Sequence, residues 1–161
     1  MEYLDIVNDN DQVIGNAPRP EIYEKKLTHR IVHVIVFNDT GEMALQLRSS
    51  NVKFCPLHWS TTVGGHVLAG ESYEQAAKRE CKEEVGIALP LKYAFKETYT
   101  KPDGTKKFLS IFTATFNGPF EVDLQEVERV EYFSKEKIND MICQGEKFHS
   151  ELLYLIQHNL I

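Results

Sequence analysis

Between Gly70 and Gly86 acidic residues and a core-forming stripe lie side by side, and that juxtaposition limits what the chain can fold into. Residues 71–85 read as one helix, with Ser72 or Gly70 near its start and Gly86 as a stop signal. At about 100° per residue, Glu83 lies about 60° to one side of Glu80 and Glu84 about 40° to the other. Three carboxylates thus share one arc on adjacent turns, flanked by Ala77, Cys81 and Val85, an apolar stripe suited to packing on a sheet. Like charges at these spacings weaken an isolated helix, so folding alone gives no reason to set them beside a core. A hard divalent cation gives one, because magnesium takes carboxylates together with phosphate oxygens. The alternative, for the helix taken alone, is a solvated acidic face with Lys78 and Lys82 nearby.

The surroundings predict strands. Residues 31–38 are β-branched and mostly apolar, as in a strand buried on both faces. Asp39-Thr40-Gly41 marks a turn, and 43–48 alternates as the partner strand of a hairpin. Residues 3–7 and 12–15 read as short strands around Asn8 to Asp11, after which Pro18 and Pro20 break the chain. Residues 92–100 and 107–117 pair through Pro102-Asp103-Gly104, and 127–133 reads as one more short strand. The tail, 135–143 and 147–159, reads as helical, with Leu152, Leu155, Ile156 and Leu160 at helical spacing. Strands around a central helix, then terminal helices, predict an α/β fold with a mixed sheet covered by helices.

A length of 161 residues suits one domain over 1–161: a short β-rich segment (1–27), a core (28–135) and a helical tail (136–161). There is no apolar run of membrane-spanning length and no export signal, which predicts a cytoplasmic protein with no membrane partner. Cys55, Cys81 and Cys143 are odd in number and form no C-x-x-C pair, so they read as reduced thiols. A net charge of −6 without a basic run argues against nucleic acid as a partner. The same charge would repel a phosphate-rich substrate unless cations intervened, which again points to metal.

The wider segment has a fixed spacing: Gly65, five residues, Glu71, seven residues, Arg79-Glu80, apolar Cys81, Lys82, Glu83-Glu84, Val85, Gly86 and apolar Ile87. Position by position it matches the Nudix box. Seven fixed residues agree, and with each type about 7% common, chance produces that in roughly one chain per million. The resemblance implies an α/β/α sandwich in which loop, helix and loop build a metal site for cutting diphosphate linkages. On that resemblance Glu80, Glu84 and Glu83 would bind Mg2+ or Mn2+, with the carbonyl of Gly65 as a further ligand. One glutamate, with Glu83 preferred, would act as general base toward the attacking water. Glu71 and Arg79 would tie the loop to the helix and orient the ligands. The implied substrate is a small-molecule diphosphate, such as a nucleoside diphosphate linked to another moiety.

A more diffuse likeness, over about residues 3–135, runs through Asp5, Val13-Ile14-Gly15, Pro18-Arg19, Thr28-His29-Arg30, Val36-Phe37-Asn38, Leu47-Arg48 and Gly65-His66. It resembles isopentenyl-diphosphate isomerase and its hydrolase-like bacterial relatives. Where those isomerases carry a catalytic cysteine this chain has Gly64, and where they carry an acidic pair it has Lys106-Lys107-Phe108-Leu109. The hydrolytic glutamates are complete, so hydrolysis is favoured over isomerisation. The intact glutamate set also argues against a third reading, a non-catalytic nucleotide-binding module.

His29 and His66 align with metal-binding histidines of the isomerases, although the matching glutamates are missing; the alternative is ordinary buried polar groups. Arg48 and Lys53 correspond loosely to residues that grip diphosphate there, or form a solvated pair at a strand end. Glu126 is a further ligand or base, or one member of an acidic surface run. Trp59 and Tyr99 stack in the cleft or belong to the core. The apolar tail, Leu152 to Ile161, could cover the core of a monomer or pair two subunits of a homodimer.

Overall fold

The computed structural model describes all 161 residues. Strand β3 (His29–Phe37) is buried nearly throughout and is the axis of the sheet. Its odd residues Ile31 and Ile35 face one way and Val32, Val34 and Val36 the other, each set at the centre of a separate apolar cluster. On the first face, helices α3 (Lys135–Cys143) and α4 (Ser150–Gln157) contribute Ile138, Met141, Leu152 and Leu155. On the second, helix α2 (Tyr73–Val85) contributes Ala76, Ala77, Cys81 and Val85. The result is a three-layered α/β/α arrangement around a mixed sheet, as the residue patterns predict.

Beside β3, strand β4 (Met43–Arg48) and strand β8 (Lys106–Thr115) make the middle of the sheet, with β5 (Trp59–Thr61) beyond β4 and β7 (Lys92–Thr100) beyond β8. Strand β7 (Lys92–Thr100) pairs antiparallel with β8, closing through the Pro102–Gly104 turn. Strand β8 runs parallel to β3 over nine registered pairs, from His29↔Lys107 to Phe37↔Thr115. Strand β9 (Val127–Phe133) pairs antiparallel with β4.

The expected hairpin of 31–38 with 43–48 forms only at its tip, Phe37↔Met43. Beyond that pair the two strands part. Into the gap come β5 (Trp59–Thr61), which pairs with β4, and β6 (Val63–His66), which pairs with β3. Thr62 sits between these strands: its Oγ1 accepts from Val36 N–H and donates to the Ala44 carbonyl, satisfying both strands where they no longer meet. Residues 59–66, polar and glycine-containing, carry no alternating pattern from which two short strands could be read.

Strands β1 (Tyr3–Val7) and β2 (Val13–Pro18) form a separate two-stranded sheet. Pro18 and Pro20 start a helix rather than break the chain. Pro18 caps α1 (Arg19–Glu24) and Pro20 occupies its first turn, where a missing N–H has no helical partner to lose. Helix α2 opens with a reciprocal capping box between Ser72 and Gln75 and stops at left-handed Gly86, φ 70°.

Helix α4 is also pinned by charge. Buried Glu151 meets His33 Nε2 of β3 and Lys107 Nζ of β8, each at 2.9 Å. Burial opposes the Glu151 charge, but His33 and Lys107 outweigh it and hold the carboxyl well below its ordinary pKa. His149 caps the helix, its Nδ1 accepting the Glu151 N–H at 3.1 Å, and burial pushes its pKa down to about 4. A base so depressed stays neutral in the folded chain while the unfolded chain protonates from about pH 6.5 downward. The contribution of His149 to stability is therefore full above about pH 6.5 and declines as pH falls toward 4. Urea unfolding over that interval is expected to show the decline. His149→Asn, which keeps a cap acceptor but does not titrate, should make it shallower, leaving the part due to the similarly buried His29 and His66; an unchanged slope in that variant would refute the assignment.

Candidate active site

One cleft of about 1000 Å³ collects most of the candidate residues. Glu80, Glu83 and Glu84 of α2 line one side, with Gly64 and Gly65 of β6 against them. Arg48 and Lys53 line it from the end of β4 and the loop that follows, and Asp123 and Glu126 from the segment leading into β9. Lys101, Lys107 and Arg19 line it from elsewhere, so acidic and basic groups share one depression.

The three glutamates differ sharply in environment. Glu84 is buried at 8% exposure, its carboxylate accepting from Gly64 N–H at 3.0 Å and from Gln46 Nε2 at 3.2 Å. Burial, with the neighbouring Glu80 charge, raises its pKa to about 8. Burial likewise raises Glu80 to about 7, against the pull of Arg79. Glu83 is exposed, with Arg79 at 3.3 Å.

Glycine at 65 is a steric requirement. A Cβ there would fall 2.2 Å from Glu80 Oε1, so the missing side chain is what lets the carboxylate approach the backbone. Arg79 holds the assembly together. Its Nε and Nη2 fork onto both oxygens of Glu71 at 2.8 and 2.9 Å, Nη2 also reaches the His66 carbonyl, and Nη1 reaches Glu80 at 2.8 Å. Glu71 in turn accepts the Leu68 N–H at 2.9 Å. Burial works against the Glu71 charge, but these bonds keep its pKa below the ordinary value. Loop 66–71 and helix α2 are thereby locked in one geometry.

The donor set fits a hard divalent cation: carboxylate oxygens on adjacent helical turns, two of them buried at raised proton affinity, beside a glycine backbone. No three acidic, histidine or cysteine side chains converge tightly enough to enclose an ion as they stand. Enclosing one requires Glu80 and exposed Glu83 to turn from Arg79.

His29 and His66 come together, their rings stacked with centroids 5.7 Å apart and Tyr23 edge-on to both. His66 Nε2 is hydrogen-bonded to Tyr23 Oη at 2.6 Å and His29 Nδ1 to the Leu27 carbonyl at 2.9 Å. Burial depresses His29 to about pKa 4 and His66 to about 2, with the Lys107 charge contributing to both. No third ligand joins them, so the geometry gives a second metal no support.

Trp59 and Tyr99, at 5% and 7% exposure, belong to the core rather than the cleft. Cys81 is buried under α2, and burial pushes its thiol up to about 12, which leaves no thiolate for chemistry. No helix is long and apolar enough to cross a membrane. The sequence gives no signal for Glu151 and His33, which lie 118 residues apart, and Lys107 stands out in it only as a departure from the isomerase pattern.

Comparison with known proteins identifies the family and the fold. The NUDIX domain model matches residues 27–155. An uncharacterised Nudix hydrolase of Nostoc sp., all7351, is 31% identical over 162 aligned positions, spanning 98% of this chain and 95% of its own. The crystal structure of DR0079 from Deinococcus radiodurans superposes with a TM-score of 0.84 at 25% identity, covering 98% of both chains. The NUDIX domain of Shewanella oneidensis NrtR, complexed with ADP ribose, shares the fold with a TM-score of 0.64 at 18% identity, over 88% of this chain and 96% of that one. The chain belongs to the Nudix family and is a Nudix hydrolase, a family that hydrolyses pyrophosphate bonds in nucleoside diphosphate derivatives.

Proposed function

We propose that this protein cleaves the diphosphate linkage of a nucleoside diphosphate joined to another moiety, with Mg2+ or Mn2+ held by α2. The observation that carries the reading is the buried pair Glu80 and Glu84, pushed toward protonation and facing a cleft that Arg48, Lys53, Lys101 and Lys107 also line. Such a pair is unfavourable to folding and favourable to a cation. The ADP ribose held by the NrtR domain is a compound of the proposed class.

Glu80, Glu84 and the Gly65 carbonyl would hold the ion, joined by Glu83. When bound, it supplies Lewis acidity, polarising phosphoryl oxygens and easing deprotonation of a water. Glu83, exposed and paired only with Arg79, is the carboxylate free to take the proton from the attacking water. Arg48, Lys53 and the buried ammonium of Lys107 meet the negative charge of the phosphates from the other walls. Arg79 and Glu71 hold the ligands in place without touching substrate. The isomerase alternative is disfavoured by space as well as by sequence. A Cβ at Gly64 would lie 3.1 Å from His33 Nδ1, so a cysteine there would crowd a buried histidine.

Glu84→Gln is expected to lower kcat about 10²–10³-fold in an assay of nucleotide or phosphate release. In chelator at pH 7 the same variant should melt no lower than wild type, because the amide removes a buried carboxyl whose pKa is raised to about 8. Activity within tenfold of wild type would sink the proposal.

Chelation should abolish turnover, and Mg2+ should raise the wild-type melting temperature but not that of Glu84→Gln. Equal shifts in the two proteins would place the ion elsewhere. Gly65→Ala, by displacing the Glu80 carboxylate, should raise the Mg2+ concentration needed for half-maximal rate about tenfold or more. An unchanged metal requirement would show that the backbone approach at Gly65 has no part in binding.

A further inference from the structure

The loop between β4 and β5 presents Phe54 to the cleft with 53% of its surface exposed. Other large apolar side chains stand in solvent, among them Ile14, Tyr93 and Leu124, but they lie outside the cleft. Phe54 is the exposed one that lines it, among walls otherwise mostly charged. Tyr23, the other cleft aromatic, is engaged by His66 and flanked by Lys107.

The loop holds the ring outward by construction. Arg48 Nε donates to the Phe54 carbonyl at 3.0 Å, and Leu57 N–H donates to the Arg48 carbonyl at 3.1 Å. Cys55 and Leu57 both adopt left-handed backbone, φ 50° and 56°, a conformation that residues with side chains seldom take. Beneath the loop the His149 imidazole meets the Phe54 ring edge-on at 5.6 Å. The main-chain links fix where this ring lies relative to the glutamates. Asp123 N–H binds the Glu84 carbonyl, and Ser49 N–H, next to Arg48, binds the Glu126 carbonyl. The glutamate helix, the 123–126 segment and the Arg48–Phe54 loop are thus tied to one another around the cleft.

We infer that Phe54 is a stacking platform for a planar ring of the substrate, mounted beside Arg48 in the same cleft as the glutamates, and is the residue by which this chain selects diphosphates bearing a nucleobase or comparable aromatic group. The inference rests on the hydrolytic reading for the placement of the diphosphate, and it adds the residue that selects what the diphosphate carries. Every base has a π-face, so such a platform favours aromatic over aliphatic substrates without choosing strongly among bases.

The test compares ADP ribose with isopentenyl diphosphate as substrates in the full-length protein with Mg2+. Binding of α,β-methylene-ADP and of inorganic pyrophosphate is measured by calorimetry. Phe54→Ala is expected to raise KM for ADP ribose about tenfold with kcat within twofold, and to leave KM for isopentenyl diphosphate unchanged. Phe54→Trp should restore the ADP ribose KM, whereas Phe54→Leu, apolar but not planar, should not. The inference is overturned by an unchanged ADP ribose KM in Phe54→Ala, by equal losses on both substrates, or by full rescue with leucine. If wild type turns over neither substrate, the hydrolytic reading fails while calorimetry still decides the platform. A tenfold weaker grip on the methylene analogue in Phe54→Ala upholds it, and analogue binding no tighter than pyrophosphate overturns it.

Discussion

The placement of the acidic site depends on one hydroxyl. Thr62 Oγ1 bridges β3 and β4 where their hairpin has opened, taking an N–H from one and giving a proton to a carbonyl of the other. Without such a bridge the parted strands would leave unpaired backbone groups in the core, which water could not reach. With it, the chain can turn inside the sheet and send β6 along β3. That brings Gly64 and Gly65 over α2, where one donates to Glu84 and the other makes room for Glu80. Gln46 completes the arrangement, its amide donating both to the Thr62 carbonyl and to Glu84.

The electrostatics follow from that placement. Two carboxylates one helical turn apart, both drawn out of water, oppose each other and oppose folding. Arg79 offsets part of this by reaching Glu80, yet its fork is committed to Glu71. The remaining imbalance is what makes the helix receptive to a multivalent cation. Opposite, Lys107 is compensated by Glu151 and so presents a positive group without leaving an isolated charge in the interior.

How far this could be read from the residues differs element by element. The box helix, its cap and its stop were legible because periodicity and capping act within a few residues, and Ser72, Gln75 and Gly86 behave as local chemistry dictates. The doubly buried β3 was legible from its mostly β-branched, apolar run on either side of His33. The hairpin was legible only at its tip, since its opening depends on Thr62, an unremarkable threonine until the fold is known. Two prolines that read as a break proved compatible with a first helical turn. The buried Glu151–His33–Lys107 set was hidden because nothing in a sequence announces which distant polar residues will be enclosed together. Phe54 was hidden for the opposite reason: an aromatic residue in a loop looks like ordinary core until its exposure is measured.

The parallel pairing of β3 with β8 encloses, between two neighbouring strands, some seventy residues of intervening chain. The cleft draws on Glu2 and Arg19 near one terminus and on Glu151 near the other, with the box in between. Its walls are thus assembled from contacts of long sequence separation, the kind that form late and at an entropic cost that grows with the loop enclosed. Without α4 there is no Glu151 to neutralise Lys107, so the recess that receives substrate depends on an element far in sequence from the glutamates it serves.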